Sequence, residues 1–183
     1  LLADTISYSA VVTGCEKGWQ WIRALSLLTE MQIVSVLPNV FTYSAASSAC
    51  AKTGRWEISL KLLCSARQHR VQPDTVFYNS VITSCAMGNQ WEHAFALLLD
   101  MHGHSVSVST TSFNATITAC EKGGEWQLAL LLFWSMPQSF VRRDAITFSA
   151  TISACEKGDG GQWRWALVVL DLYERSRQSP HPP

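Results

Sequence analysis

The sequence predicts an all-α solenoid of stacked helical hairpins, and three observations predict it. Five cysteines, Cys15, Cys50, Cys85, Cys120 and Cys155, recur every 35 residues. An aromatic residue keeps the same interval as Tyr8, Tyr43, Tyr78, Phe113 and Phe148. Tryptophan does so as Trp21, Trp56, Trp91 and Trp126, with Trp163 arriving two residues late. A fixed period of about 20–50 residues marks an array in which each unit buries its apolar face against the next.

The units are framed as 5–39, 40–74, 75–109, 110–144 and 145–181; residues 1–4 read as the end of a preceding unit and 182–183 as a tail. In the first, Asp4 is a good N-cap, Gly18 parts two helices and Trp21 opens the second. In the second, Asn39 is the cap and Gly54 the break. The third is the clearest. Behind Asp74, Thr75 to Met87 carries Tyr78, Ile82 and Cys85 at helical spacings of four and three. Gly88-Asn89 interrupts, Trp91 to Met101 carries Trp91, Ala94, Phe95, Leu98 and Met101, and Gly103 closes it. The fourth opens behind Ser109 and breaks at Gly123-Gly124. The fifth opens behind Asp144; Asp159-Gly160-Gly161 lengthens its turn and delays Trp163. Along the first helices, Ala10 and Gly14, Ala45 and Ala49, Ser80 and Ser84, Ala115 and Ala119, and Ala150 and Ala154 form a small-residue row that permits close approach.

Composition narrows the function. The chain has 183 residues, 48% apolar and 15% charged, with 14 basic against 14 acidic side chains. That is too apolar for disorder. The longest apolar run, Leu128 to Trp134, falls short of the roughly 18 residues that span a bilayer, so no membrane association is expected. Zero net charge argues against an indiscriminate polyanion binder, though not against a reader that uses few charges. The periodic cysteines are expected to be reduced and structural, because stacked helices lie about 8–10 Å apart and a disulfide needs Cα atoms within about 7 Å. Without a C-x-x-C, no metal or other cofactor is expected. No Cys–His or Ser–His–Asp set recurs, the deaminase pair H-x-E and P-C-x-x-C is missing, and no enzyme activity is expected. The N-terminus at Leu1-Leu2 reads as a cut through a longer protein, and an uncapped end of that kind is expected to self-associate.

A polar row on the first helices is not required by packing. Counting within each unit, place five holds Ser9, Ser44, Asn79, Asn114 and Ser149; place nine holds Thr13, Ser48, Thr83, Thr118 and Ser153. Place thirteen holds Lys17, Lys52, Met87, Lys122 and Lys157; place two holds Ile6, Phe41, Val76, Thr111 and Ile146. Spacings of three, four and four put these on one helical face. A merely solvated face favours Glu, Lys, Gln and Arg; Ser, Asn and Thr are poor helix formers, and exposed Ile, Phe or Val serve no solvation. The residues that end the units, Asn39, Asp74, Ser109, Asp144 and His181, are a separate series, and helix capping alone would account for most of it.

Pro73-Asp74-Thr75-Val76-Phe77-Tyr78-Asn79, the 35-residue period, and Met31, Met101 and Met136 near the second helix ends resemble pentatricopeptide repeats of the P type. The resemblance covers nearly the whole chain. It implies a right-handed superhelix that binds single-stranded RNA, one base per unit, in RNA processing, stabilisation, editing or translation within a mitochondrion or chloroplast. It implies that places five and last read the base: Ser9 with Asn39, Ser44 with Asp74, Asn79 with Ser109, Asn114 with Asp144, and Ser149 with an unusual His181. It implies that Ile6, Phe41, Val76, Thr111 and Ile146 sandwich bases and that Lys17, Lys52, Lys122 and Lys157 meet phosphate. The implied target is 5′-A-G-(C/U)-U-3′. Thr111 and Met87 depart from the pattern, and Val108 and Arg143 stand where Pro38 and Pro73 would stiffen the joint. Stacking of about 1–3 kcal/mol per base over four layers leaves binding by this segment micromolar at best. The alternative is a scaffold that holds protein partners in the same concavity.

Overall fold

The computed structural model describes residues 4–158 and 162–178. The insertion at 159–161, Leu1-Leu2 and His181 lie outside the described residues. Within them the chain is helical: α1 Thr5–Lys17, α2 Trp21–Ile33, α3 Val40–Ala51, α4 Trp56–Gln68, α5 Thr75–Met87, α6 Trp91–Gly103, α7 Thr110–Gly123, α8 Trp126–Ser135, α9 Ala145–Lys157 and α10 Trp163–Gln178, with a 3-10 turn at Pro137–Ser139. No strand occurs among the described residues, and no helix there is long and apolar enough to cross a membrane.

Each odd-numbered helix opens where the sequence places a cap. The side chains of Asp4, Asn39, Asp74, Ser109 and Asp144 accept from the backbone N–H three residues on, at 2.8–3.3 Å. That satisfies one of the orphan donors of each helix start. The first four hairpin turns close in a Schellman pattern, for example Gln90 N–H to Cys85 C=O at 2.8 Å. The left-handed residue is Trp19, Gly54, Asn89 or Gly124, so in units one and three the turn does without glycine at that position.

Successive odd helices α1, α3, α5, α7 and α9 pack directly on one another. The even helices pack on their own partner and the next odd helix, and α4 meets α6 through side chains alone, Arg67 pairing with Asp100 and the Trp56 and His93 rings lying 5.1 Å apart. Close backbone packing along the odd layer, beside an even layer bridged only by long side chains, curves the stack with the odd helices inside. Their small residues allow this: Ala45, Ala49, Ser84, Ala119, Ala150 and Ala154 are buried. Tyr8, Tyr43 and Tyr78 clasp each hairpin by hydrogen bonds to Glu30 (2.8 Å), Ser65 (3.3 Å) and Asp100 (2.8 Å) on the second helix. All five periodic cysteines are unpaired and buried, and burial pushes the Cys85 and Cys120 thiols up to about 12.

Two details of the stack come from chemistry that helical spacing does not show. Pro137 has no N–H to bond Phe133 C=O, and that carbonyl instead accepts from Arg143 Nε at 2.9 Å. The Arg143 guanidinium lies 4.0 Å from the Phe133 ring centre and 5.2 Å from that of Trp134. The joint that lacks a proline is thus anchored by arginine. Ser47 is wholly buried, and its Oγ has no hydrogen-bond partner among the described residues. The equivalent positions are Val12, Ile82, Ile117 and Ile152. Ser47→Val is therefore expected to stabilise the chain by about 1 kcal/mol, because an unpaired buried hydroxyl costs about that much. Thermal unfolding should show a midpoint higher by about 2–4 °C.

Candidate nucleic-acid interface

The inner layer presents the polar row as a groove. At place two, Ile6, Phe41, Val76 and Ile146 stand 61–76% exposed, and Thr111 is exposed as well. Four large aliphatic or aromatic side chains left in water at a fixed interval form walls that the core does not use. Place five is the floor. Ser44 and Asn114 retain only 8% and 7% of their surface, Ser9 and Asn79 are half-buried, and Ser149 is exposed. Between the Phe41 and Val76 walls lies a cavity of about 590 Å³, lined also by Ser44, Asn79, Ser48 and Lys52.

Floor and cap residues meet. Asn79 Nδ2 donates to Ser109 Oγ at 3.2 Å, and Asn114 Nδ2 donates to Asp144 Oδ1 at 3.0 Å. Each pair joins place five to the last residue of the same unit, thirty residues on. Ser9 and Ser44 have no such bond to Asn39 and Asp74. Burial opposes ionisation of Asp144, but the Thr147 backbone N–H, Asn114 and the Thr147 hydroxyl outweigh it and hold the carboxyl below its ordinary value. A carboxyl with a lowered folded value adds stability that is complete above the ordinary value and lost as pH falls through the lowered one. Asp144 is therefore an anion, and an acceptor only, at neutral pH.

Two sets of residues that sequence reasoning missed belong to the groove. At place three, Thr42, Ser112 and Thr147 are fully buried, and each hydroxyl reaches back to the place-five side chain of the preceding unit. Thr42 Oγ1 is 2.8 Å from Ser9 Oγ; Ser112 Oγ and Thr147 Oγ1 donate at 2.6 Å to Asn79 Oδ1 and Asn114 Oδ1. Unit three carries Phe77 here, and Ser44 has no such tether. At place twelve stand Glu16 and Glu121. Lys52 Nζ lies 3.9 Å from Glu16 Oε1, which also accepts from Ser48 Oγ at 2.7 Å, and Lys157 Nζ lies 2.8 Å from Glu121 Oε1. Lys122 Nζ rests 3.5 Å from Met87 Sδ, and Lys17 is exposed. Both missed series keep the 35-residue interval, which was the signal available. No group of three or more His, Cys, Asp or Glu that could hold a metal occurs among the described residues.

Comparison with known proteins gives one family. The profile of the PPR repeat family matches residues 73–122, that of the pentatricopeptide repeat domain residues 26–88, and that of the PPR repeat residues 6–33 and 111–139. Together they cover 6–139 without a gap. The fold is similar to the PPR domain of Arabidopsis thaliana protein-only RNase P 1 (PRORP1), solved in complex with tRNA. Identity is 14% and the TM-score 0.79, over 94% of this chain and 90% of that one. It is similar to the pentatricopeptide repeat protein PPR10 in complex with an 18-nt psaJ RNA element, at 21% identity and TM-score 0.76, over 98% of this chain and 29% of that one. PPR10 from maize gives 20% and 0.74, over 99% and 26%. No curated protein matches the sequence. Identities this low establish a shared fold.

Proposed function

Because the chain belongs to the pentatricopeptide repeat family, we propose that it binds single-stranded RNA along the inner groove, one base to each layer, without catalysis of its own. The carrying observation is the repeated slot: exposed apolar walls at place two over a polar floor at place five that is tied, in two layers, to the last residue of the unit. Single-stranded RNA is best read from splayed bases that stack on such walls and offer their Watson–Crick edges to two or three side chains. The reading carries with it a role in organellar RNA metabolism, in a mitochondrion or chloroplast.

The hydrogen-bond inventory supports a base order. Asn39 Oδ1 is occupied by the Thr42 backbone N–H and hydroxyl. Its amide N–H groups remain, and these suit a ring nitrogen that accepts, as in adenine or cytosine. Asp74 and Asp144 cap through Oδ1 and keep Oδ2, which suits a ring N–H, as in guanine or uracil. Ser109 has a hydroxyl that serves either way. A short Ser at place five leaves room for a purine, and a longer Asn for a pyrimidine. The order is 5′-A-G-(C/U)-U-3′ with the 5′ base at the N-terminus; Ser149 and the fifth layer are unassigned. The core 5′-AGCU-3′ is self-complementary, so the control keeps polarity and exchanges every base, 5′-UCGA-3′ in the same flanks. Tighter binding of the first in fluorescence anisotropy is expected, and equal affinity would discard the assignment. Binding to neither RNA, with capture of peptides instead, would favour a protein scaffold.

The glutamates set the salt dependence. With Lys52 and Lys157 held by carboxylates, two of the four row lysines meet phosphate freely. At roughly −0.7 per contact, the slope of log K against log salt is expected near −1.4 rather than the roughly −2.8 of four free lysines. Glu16→Gln with Glu121→Gln frees the other two, and the slope should steepen to about −2.8 with tighter binding at low salt. An unchanged slope in the double variant would place the lysines outside the phosphate path.

A further inference from the structure

We propose that the buried place-three hydroxyl of the following unit is a positioning residue for base reading, and that Thr147 sets the hydrogen-bond pattern of the fourth layer by locking the Asn114 amide. The proposal rests on the base-reading role given to Asn114 and Asp144 above. An Asn side chain can present either its oxygen or its nitrogen, and which one faces a base decides what it reads. In layer four the choice is forced from both sides. Asp144 is an acceptor only, so Nδ2 must face it, at 3.0 Å. Thr147 Oγ1, wholly buried, then meets Oδ1 at 2.6 Å and also lies 2.9 Å from Asp144 Oδ1. Asn114 is left with one N–H to offer and Asp144 with Oδ2, one donor beside one acceptor, which matches the O4 and N3–H of uracil and not the N4–H₂ and bare N3 of cytosine.

Layer three has the same skeleton without the lock. Asn79 lies between Ser109 Oγ, at 3.2 Å, and Ser112 Oγ, at 2.6 Å, and those hydroxyls are 3.1 Å from each other. Both can donate or accept, so the amide inverts without losing a bond. Layer three therefore accepts cytosine and uracil, and layer four distinguishes them. Thr42 performs the same task on a hydroxyl in layer one, at 2.8 Å from Ser9 Oγ.

The test has two readouts. The first is free of RNA: hydrogen exchange and order parameters of the Asn side-chain amides by NMR. In the unaltered chain the Asn114 amide should be rigid and protected and the Asn79 amide less so. Thr147→Val keeps the branched shape and the backbone cap at Asp144 but removes the hydroxyl, and should loosen the Asn114 amide; Thr147→Ser should restore it. The second readout is affinity for labelled 5′-AGCU-3′ against 5′-AGCC-3′ in the same flanks. Preference for the first should fall about five- to tenfold in Thr147→Val, the worth of one hydrogen bond, and return in Thr147→Ser. An Asn114 amide as mobile in the unaltered chain as in Thr147→Val overturns the proposal. So does an unchanged uracil preference in a folded Thr147→Val. If the unaltered chain shows no base preference, the base-reading role itself fails, and the proposed role of Thr147 in reading uracil fails with it, while the amide measurement still decides whether Thr147 holds Asn114.

Discussion

One methyl group added at Gly123 should destabilise the stack by about 2 kcal/mol, whereas the same methyl at Gly103 should stabilise it. Both glycines lie within helices, at the ends of α7 and α6, and alanine is better than glycine there by up to about 1 kcal/mol. The difference is what the methyl meets. At Gly103 nothing lies within 4 Å. At Gly123 a Cβ would sit 2.4 Å from Trp91 Cδ1 and 3.0 Å from Cγ. Those atoms are at the root of the indole, so the ring cannot swing aside and the joint between units must open. Overpacking of this kind costs about 1–3 kcal/mol, and the contact puts it at the upper end, beyond the propensity gain. The same contact recurs as Trp56 on Gly88 at 2.3 Å and Trp126 on Gly158 at 2.6 Å. Thermal unfolding of Gly123→Ala and Gly103→Ala checks the sign. A midpoint lower by about 4–8 °C for the first and slightly higher for the second is expected. Trp91→Leu should cancel most of the Gly123→Ala penalty, and two variants of equal stability would mean the joint is loose.

That contact also shows where the sequence was legible. Residues 35 apart revealed the frame, because cysteine, tyrosine and tryptophan are scarce enough for coincidence to be excluded. The caps were legible because Asp, Asn or Ser before an apolar helix has one common use. The exposed walls were legible at Ile6, Phe41, Val76 and Ile146 because a large apolar residue on a polar face has no packing reason. The glycines had a second role that helical spacing does not show: Gly88, Gly123 and Gly158 stand at the end of the first helix where an indole from the preceding unit covers them, and after Gly88 and Gly123 the left-handed turn residue is the next one along. The place-three hydroxyls and the Glu–Lys pairs were missed for a related reason. They act between units, 33 and 36 residues apart, where helical spacing of three and four is blind, and Thr147 or Ser112 on its own reads as an ordinary helix-start residue.

Asn79→Ala together with Asn114→Ala should reduce affinity for 5′-AGCU-3′ RNA about 100-fold and leave the fold intact. In the proposed reading each Asn supplies a directed bond to a base edge worth about 1–1.5 kcal/mol, close to tenfold, and the two belong to separate layers, so their losses add. Stability should hardly change, because what each amide leaves behind keeps a partner. Thr147 Oγ1 retains Asp144 Oδ1 at 2.9 Å, and Ser112 Oγ retains Ser109 Oγ at 3.1 Å. The backbone caps at Ser109 and Asp144 do not involve the Asn side chains, and alanine is the best helix former. Wall residues give the contrast. Val76→Ala removes stacking area, which is blind to base identity, and should weaken 5′-AGCU-3′ and 5′-UCGA-3′ alike. The pair of experiments separates reading from stacking by the ratio of the two affinities. The Asn variants should lower that ratio and Val76→Ala should leave it unchanged. If the Asn double variant, folded by circular dichroism, binds 5′-AGCU-3′ as tightly as the unaltered chain, the bases do not reach the groove floor, and whatever the walls hold is recognised by its backbone alone.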